Sequence, residues 1–114
     1  MQPEDAMRVG HILDAAAKVA RWMRGVSLQE FKDDEKLQSA VVYAIQVGGE
    51  ASNHLSDGFK AALPTLPWGD VVGMRNRIVH GYYLLDHRIV GDVAMKHLPD
   101  MATQLLPFAP AEEE

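Results

Sequence analysis

Cysteine is absent from all 114 residues. That excludes a disulfide scaffold, a cysteine-ligated zinc site and a thiol nucleophile together. Aromatic residues are scarce, at 7% of the chain, so Ala, Val, Leu and Met have to fill the core. Long apolar runs are missing as well. The longest, Ala40 to Ile45, falls far short of the ~20 residues that a bilayer-spanning helix needs. Glu4 and Asp5 stand near the start with no apolar stretch behind them, which argues against a signal peptide and for a soluble, cytoplasmic protein. Positive charge is in deficit: Lys plus Arg number 11 against 16 Asp plus Glu, a formal net charge of −5. By bulk charge, this is not a nucleic-acid-binding chain.

What is present is helical periodicity, nearly throughout. Pro3 suits a helix start, with Glu4 and Asp5 in the first turn where the macrodipole favours anions. Ile12, Leu13, Ala16, Val19, Ala20 and Met23 then trace an i, i+3, i+4 stripe, and Gly25 is placed to end the helix. Ser27-Leu28-Gln29-Glu30 has the form of a capping box. Asp33-Asp34-Glu35 opens a second long helix striped by Leu37, Ala40, Val41, Ala44, Ile45, Ala51 and Leu55. Gly48-Gly49 interrupts that stripe at a cost of roughly 1 kcal/mol per glycine, which points to a close backbone approach. Asp57-Gly58 reads as a break, Pro64 to Pro67 as an irregular link, and Trp68-Gly69-Asp70 as the start of a third long helix through Val71, Val72, Met74, Ile78 and Val79. Pro99 predicts a kink or two abutting helices in the last helical stretch. No segment alternates long enough to argue a strand. The expected architecture is an all-α, up-and-down bundle of four to five helices: one domain over residues 1–110, then a disordered acidic tail over 111–114.

Charge is spread unevenly. Residues 71–90 hold Arg75, Arg77 and Arg88 against Asp86 alone, a net +2, so the rest of the chain carries −7. His80, His87, Tyr82 and Tyr83 fall in the same window. Within it, Arg75 to Tyr82 reads R-x-x-x-x-H-x-Y. Five residues separate Arg75 from His80, about 140° around a straight helix, so periodicity alone does not put both on one face. Metal-free RNA cleavage needs a base for the 2′-hydroxyl, an acid for the leaving oxygen and a cation for the phosphoryl charge. Imidazole can fill either proton role and guanidinium grips phosphate. One histidine supplies one of the two, whereas a symmetric dimer would present two His80 and two Arg75.

The block Gly73-Met74-Arg75-Asn76-Arg77-Ile78-Val79-His80-Gly81-Tyr82, preceded by Gly49-Glu50-Ala51 and Leu66-Pro67-Trp68, resembles the HepT-type branch of the HEPN superfamily. The order of these elements matches over essentially the whole chain. The resemblance implies a helical bundle that forms a homodimer, with Arg75 and His80 as the catalytic pair of a composite RNase site at the interface. Asn76 and Arg77 are then supporting, RNA-binding residues. It also implies a toxin of a HepT/MntA, type VII toxin–antitoxin system, whose MntA-like nucleotidyltransferase antitoxin transfers AMP from ATP onto Tyr82. Adjacent Tyr83 offers a second acceptor. An RNA substrate is expected, with no cofactor, no metal, no membrane and no DNA.

Other candidates read more plainly. Glu50 and His54 are spaced i, i+4, but two ligands do not make a metal site. Trp68 suits a core anchor, and Met7, Met23, Met74, Met95 and Met101 suit core filling or a dimer interface. Beside the RNase, a second reading stays open: a non-catalytic helical subunit that binds nucleotide or substrate for a minimal nucleotidyltransferase. Together, Arg75 and His80 favour the enzyme, because a binding subunit could work with the arginine alone.

Overall fold

The computed structural model describes residues 2–81 and 85–110, so Tyr82, Tyr83 and the 111–114 tail lie outside the described residues. Helices α1 (Pro3–Met23), α2 (Leu28–Lys32), α3 (Glu35–Asn53), α4 (Asp57–Ala62) and α5 (Trp68–Gly81) come first. Then α6 (His87–Asp92) runs through a π-helical turn, Val93–His97, into α7 (Leu98–Leu105) and a closing 3-10 turn, Leu106–Phe108. No strand occurs among the described residues. The bundle is all-α, as expected.

Local chemistry sets most of the helix ends. α1 stops at Met23, and Gly25 takes the left-handed φ of +74° that ends a helix without a Cβ penalty. At α2 the capping box forms in full: Glu30 N–H donates to Ser27 Oγ at 3.1 Å, and Ser27 N–H to Glu30 Oε1 at 3.1 Å. Asp34 caps α3 by accepting the Leu37 N–H. One expected boundary is misplaced. Asp57-Gly58 is not a break but the first turn of α4, because Ser56 Oγ accepts the Phe59 N–H at 3.2 Å and caps the helix there. Pro99 has no N–H to offer the preceding turn. The chain meets it with the π-helical turn and restarts as α7, in place of a plain kink.

α3 is the centre of the fold, packing against both α1 and α5. Val41, Val42 and Ile45 of α3 meet Val19, Phe31, Ile78 and Val90 in one apolar cluster. Val9, Ile12, Leu55, Phe59, Met101 and Leu105 form a second. Fully burying a side chain such as Phe31 contributes about 1.5–3 kcal/mol. The α1 stripe is rotated slightly from its expected line: Val9 and Ala15 are buried and Ala20 is exposed. The buried side chains of Gln38 and Asp5 are matched. Gln38 Nε2 donates to the carbonyls of Phe31 and Lys32, each at 2.8 Å, satisfying the end of α2. Asp5, only 1% exposed, accepts from Ser56 N–H (2.8 Å), Ser56 Oγ (2.6 Å) and Gln2 N–H (2.9 Å), tying α1 to the start of α4.

Candidate active site

α5 begins on a fixed anchor. Leu66 is buried, and Trp68 Nε1 donates to the carbonyls of Lys60 (3.2 Å) and Leu63 (3.1 Å) at the end of α4. Trp68 packs in the second apolar cluster, so it acts as the core anchor expected of it. From that start α5 runs outward with only Ile78 buried. Its polar residues face two different ways.

Arg75 faces α3. A Cβ on Gly49 would lie 2.7 Å from Arg75 Cβ and 3.2 Å from its Cγ, so the backbone approach expected at the glycine pair is made at Gly49, by the arginine itself. Gly48 has only Ala15 Cβ nearby, at an ordinary 3.8 Å. Arg75 Nε lies 2.6 Å from Glu50 Oε2. The oxygen sits off the N–H direction, leaving a charge–charge contact without a directed hydrogen bond. Arg75 Nη1 donates to Asn76 Oδ1 at 3.0 Å. His54 Nε2 donates to Glu50 Oε1, also at 3.0 Å. That hydrogen bond, opposed by partial desolvation and helped by the Arg75 guanidinium, holds the Glu50 carboxyl below its ordinary value. The Glu50–His54 pairing follows from the i, i+4 spacing. Among the described residues no three His, Asp or Glu side chains gather as a metal site.

His80 faces the other way. It lines a cleft of about 540 Å³ between α5 and α6, with Asn76 and Arg77 from its own helix and Leu85, Asp86 and Ile89 opposite. Asp86 is already engaged. It caps α6 by accepting the Arg88 N–H at 2.8 Å and pairs with Arg88 Nη2 at 3.3 Å. The Arg88 backbone N–H, then its side chain, hold the Asp86 carboxyl below its usual range. Arg77 and His80 have no ion-pair or hydrogen-bond partner among the described residues. Among the described residues, two cleft-side groups able to meet phosphate therefore stand without a partner.

Arg75 and His80 share no hydrogen bond and do not line the same cleft, in keeping with the ~140° that separates them on a helix. Asn76 touches both settings: it accepts from Arg75 and lines the cleft beside His80. His87 is taken up structurally, edge-on to Phe31 with ring centroids 6.3 Å apart. Glu50 is the site residue that sequence reasoning passed over as a partner for Arg75. The only signal for it was Gly-Glu-Ala standing ahead of the arginine block.

Fold and geometry together define an all-α bundle with an imidazole–guanidinium surface and nothing that resembles a metal centre among the described residues. The sequence profile of the ribonuclease HepT-like family matches residues 12–107, and the chain belongs to that family, within the HEPN superfamily. Relatives include "Putative RNase MJ1380" of Methanocaldococcus jannaschii, 27% identical over 82% of this chain and 86% of that one. "Putative RNase TTE0752" of Caldanaerobacter subterraneus subsp. tengcongensis is 28% identical over 83% of this chain and 85% of its own. "Probable ribonuclease HepT" of Thermococcus cleftensis is 29% identical over 79% and 82% respectively. No solved structure matches the chain. Among the described residues no helix is long and apolar enough to cross a membrane.

Proposed function

We propose that the chain is a metal-independent endoribonuclease toxin that works as a homodimer. The observation that carries this reading is the exposed His80 on the wall of an open cleft, beside Arg77 and five residues beyond Arg75. In the reaction, the 2′-hydroxyl oxygen attacks phosphorus and the bond from phosphorus to the 5′-oxygen breaks. One His80 takes the 2′-hydroxyl proton, and the His80 of a second copy protonates the departing 5′-oxygen. Arg77 in the cleft, and Arg75 brought to the same phosphate in the composite site of the dimer, offset the charge that builds on the non-bridging oxygens. Support for a dimer comes from Val79 and Ile89, 43% and 46% exposed on the two helices that border the cleft. Apolar side chains in that position suit a second copy laid across it.

The test is cleavage of a mixed RNA panel in excess EDTA. Wild type should cut; His80→Ala should lose about 10²–10⁴ in rate and Arg75→Ala about 10²–10³. Wild type that cuts no faster than His80→Ala would falsify the reading.

Control of the toxin rests on Tyr82. A nucleotidyltransferase antitoxin of the MntA type would join the Tyr82 phenol oxygen to the α-phosphorus of ATP, releasing pyrophosphate and the phenol proton. The added phosphate, two residues from His80, would set negative charge against the groups that receive RNA phosphate. Incubation with the antitoxin and ATP should raise the intact mass by an AMP unit. The increment should vanish in Tyr82→Phe; persistence there moves the acceptor to another residue, Tyr83 first.

A further inference from the structure

A second depression, of about 270 Å³, opens between α1 and α3. Arg8 and His11 reach it from α1, and Tyr43, Gln46 and Glu50 from α3. The spacings i, i+3 on one helix and i, i+3, i+7 on the other put these side chains on facing stripes. Arg8 Nε is buried, yet among the described residues it has no hydrogen-bond partner, and Arg8 forms no ion pair. Nε is closed to an incoming group, but the half-buried Arg8 side chain leaves its outer guanidinium nitrogens without a partner there as well. Among the described residues, nearby carboxylates do not supply one. Glu50 is engaged by Arg75 and His54, and both Asp5 oxygens are taken by Ser56 and Gln2. Tyr43, meanwhile, is 67% exposed at the same depression.

We infer that this depression is a second subsite for single-stranded RNA. Arg8 takes a backbone phosphate, Tyr43 stacks a base, and His11 and Gln46 offer polar contacts to the strand. A guanidinium with unmade donors matches a phosphate oxygen, and an exposed phenol ring stacks any base. The subsite adjoins the catalytic helix through Glu50, which lines the depression and also holds Arg75. A strand with one phosphate at Arg75 would therefore run on across α3 to Tyr43. The inference rests on the RNase reading, and it explains how an acidic chain can hold substrate beyond one cleft.

The test uses the cleavage-silent His80→Ala chain and labelled single-stranded RNA of about 4 and about 16 nucleotides, spanning the usual reach of such sites. Affinity is read by fluorescence anisotropy at low salt. Adding Tyr43→Ser or Arg8→Gln should weaken binding of the long RNA about tenfold and leave the short one unchanged. Arg8→Lys should fall between, keeping the charge and losing the fork. Tyr43→Ser removes an exposed ring and should not move the melting temperature, so a lost fold cannot imitate lost contact. Equal affinity of all variants for the long RNA overturns the subsite, as does absence of RNA binding by the parent. Variants that change only the mass seen by light scattering assign the face to a protein partner and overturn it too. Cleavage by the matching His80 chains separates the two readings. RNA that is bound through Tyr43 but never cut leaves the subsite standing without the RNase. RNA that is cut with no response at Tyr43 or Arg8 does the reverse.

Discussion

α3 and α5 lie against each other and are built to opposite ends. α3 buries residues on several sides, including Val41, Val42, Ala44, Ile45, Gly48 and Gly49. α5 buries Ile78 alone and leaves Asn76, Arg77, Val79 and His80 to the outside. The first helix is held by apolar surface removed from water, the second by an anchor at Trp68, one buried isoleucine and the Arg75–Glu50 contact. Stability and the proposed chemistry are thus divided between neighbouring helices. Substitutions of the buried residues in the α1–α3 body should cost stability and spare cleavage per folded molecule. Those on the outer face of α5 should do the opposite.

The largest effect expected in the body is at Asp5. Burial pushes its carboxyl up, but hydrogen bonds from Ser56 and Gln2 pull it further down, and the net value lies below the ordinary 3.8. Asp5→Ala leaves the Ser56 and Gln2 donors without their partner and should cost about 2–4 kcal/mol in urea or thermal unfolding. The sign with pH follows from a lowered folded value. The Asp5 contribution is fully present above 3.8 and is lost as pH falls through the folded value. The stability gap between wild type and Asp5→Ala should therefore close on acidification. A gap that widens there would show that the carboxylate is not the stabilising form.

Gly48 and Gly49 sharpen the comparison, because they differ only in what each faces. Gly49→Ala would set a methyl 2.7 Å from Arg75 Cβ, a contact the base of a side chain cannot rotate away from. α5 has to shift, at about 1–3 kcal/mol net of the gain in helix propensity. Cleavage should fall with it, since the displaced residue is the proposed catalytic arginine. Gly48→Ala meets Ala15 Cβ at 3.8 Å and should stabilise α3 by up to about 1 kcal/mol with cleavage unchanged. Melting temperatures moving in opposite directions check the pair. Equal shifts would mean that α5 is not seated on Gly49.

This contrast also marks what the sequence made legible. Rules that act within a few residues were readable: Gly25 as a helix stop, the Ser27 box, Asp34 as a cap, Trp68 as an anchor. The need for a close approach at Gly48-Gly49 was readable too, because glycine inside a helix is costly wherever it stands. Which element approached was not, since Arg75 and Glu50 are joined by packing of distant segments and obey no spacing rule. The same holds for Arg8 and Tyr43, each unremarkable on its own helix. Val79 misled in a different way. It fits the apolar stripe of α5 yet is 43% exposed, because a stripe says that a face is apolar and not what covers it. Ser56 escaped notice behind Asp57-Gly58, a pair whose turn preference loses here to a cap one residue earlier.

The smallest effect, and the finest test of the division between helices, concerns Glu50. It belongs to the body by position and to the proposed chemistry by its hold on Arg75. Glu50→Gln keeps the shape and removes the charge. The melting temperature should barely move, because the pair is partly open to solvent and such pairs contribute little to stability. Cleavage should drop about tenfold at neutral pH, as one misplaced cation weakens stabilisation of the phosphoryl charge. Because His54 and Arg75 lower the Glu50 value, its carboxylate persists below the ordinary 4.5 and protonates only as pH falls through that lowered value. The rate ratio of wild type to Glu50→Gln should accordingly hold steady down to that range and approach one beneath it. The Nε–H resonance of Arg75 should move over the same interval in wild type and stay fixed in the variant. A resonance that titrates equally in both would place the controlling group elsewhere and return Glu50 to the structural body alone.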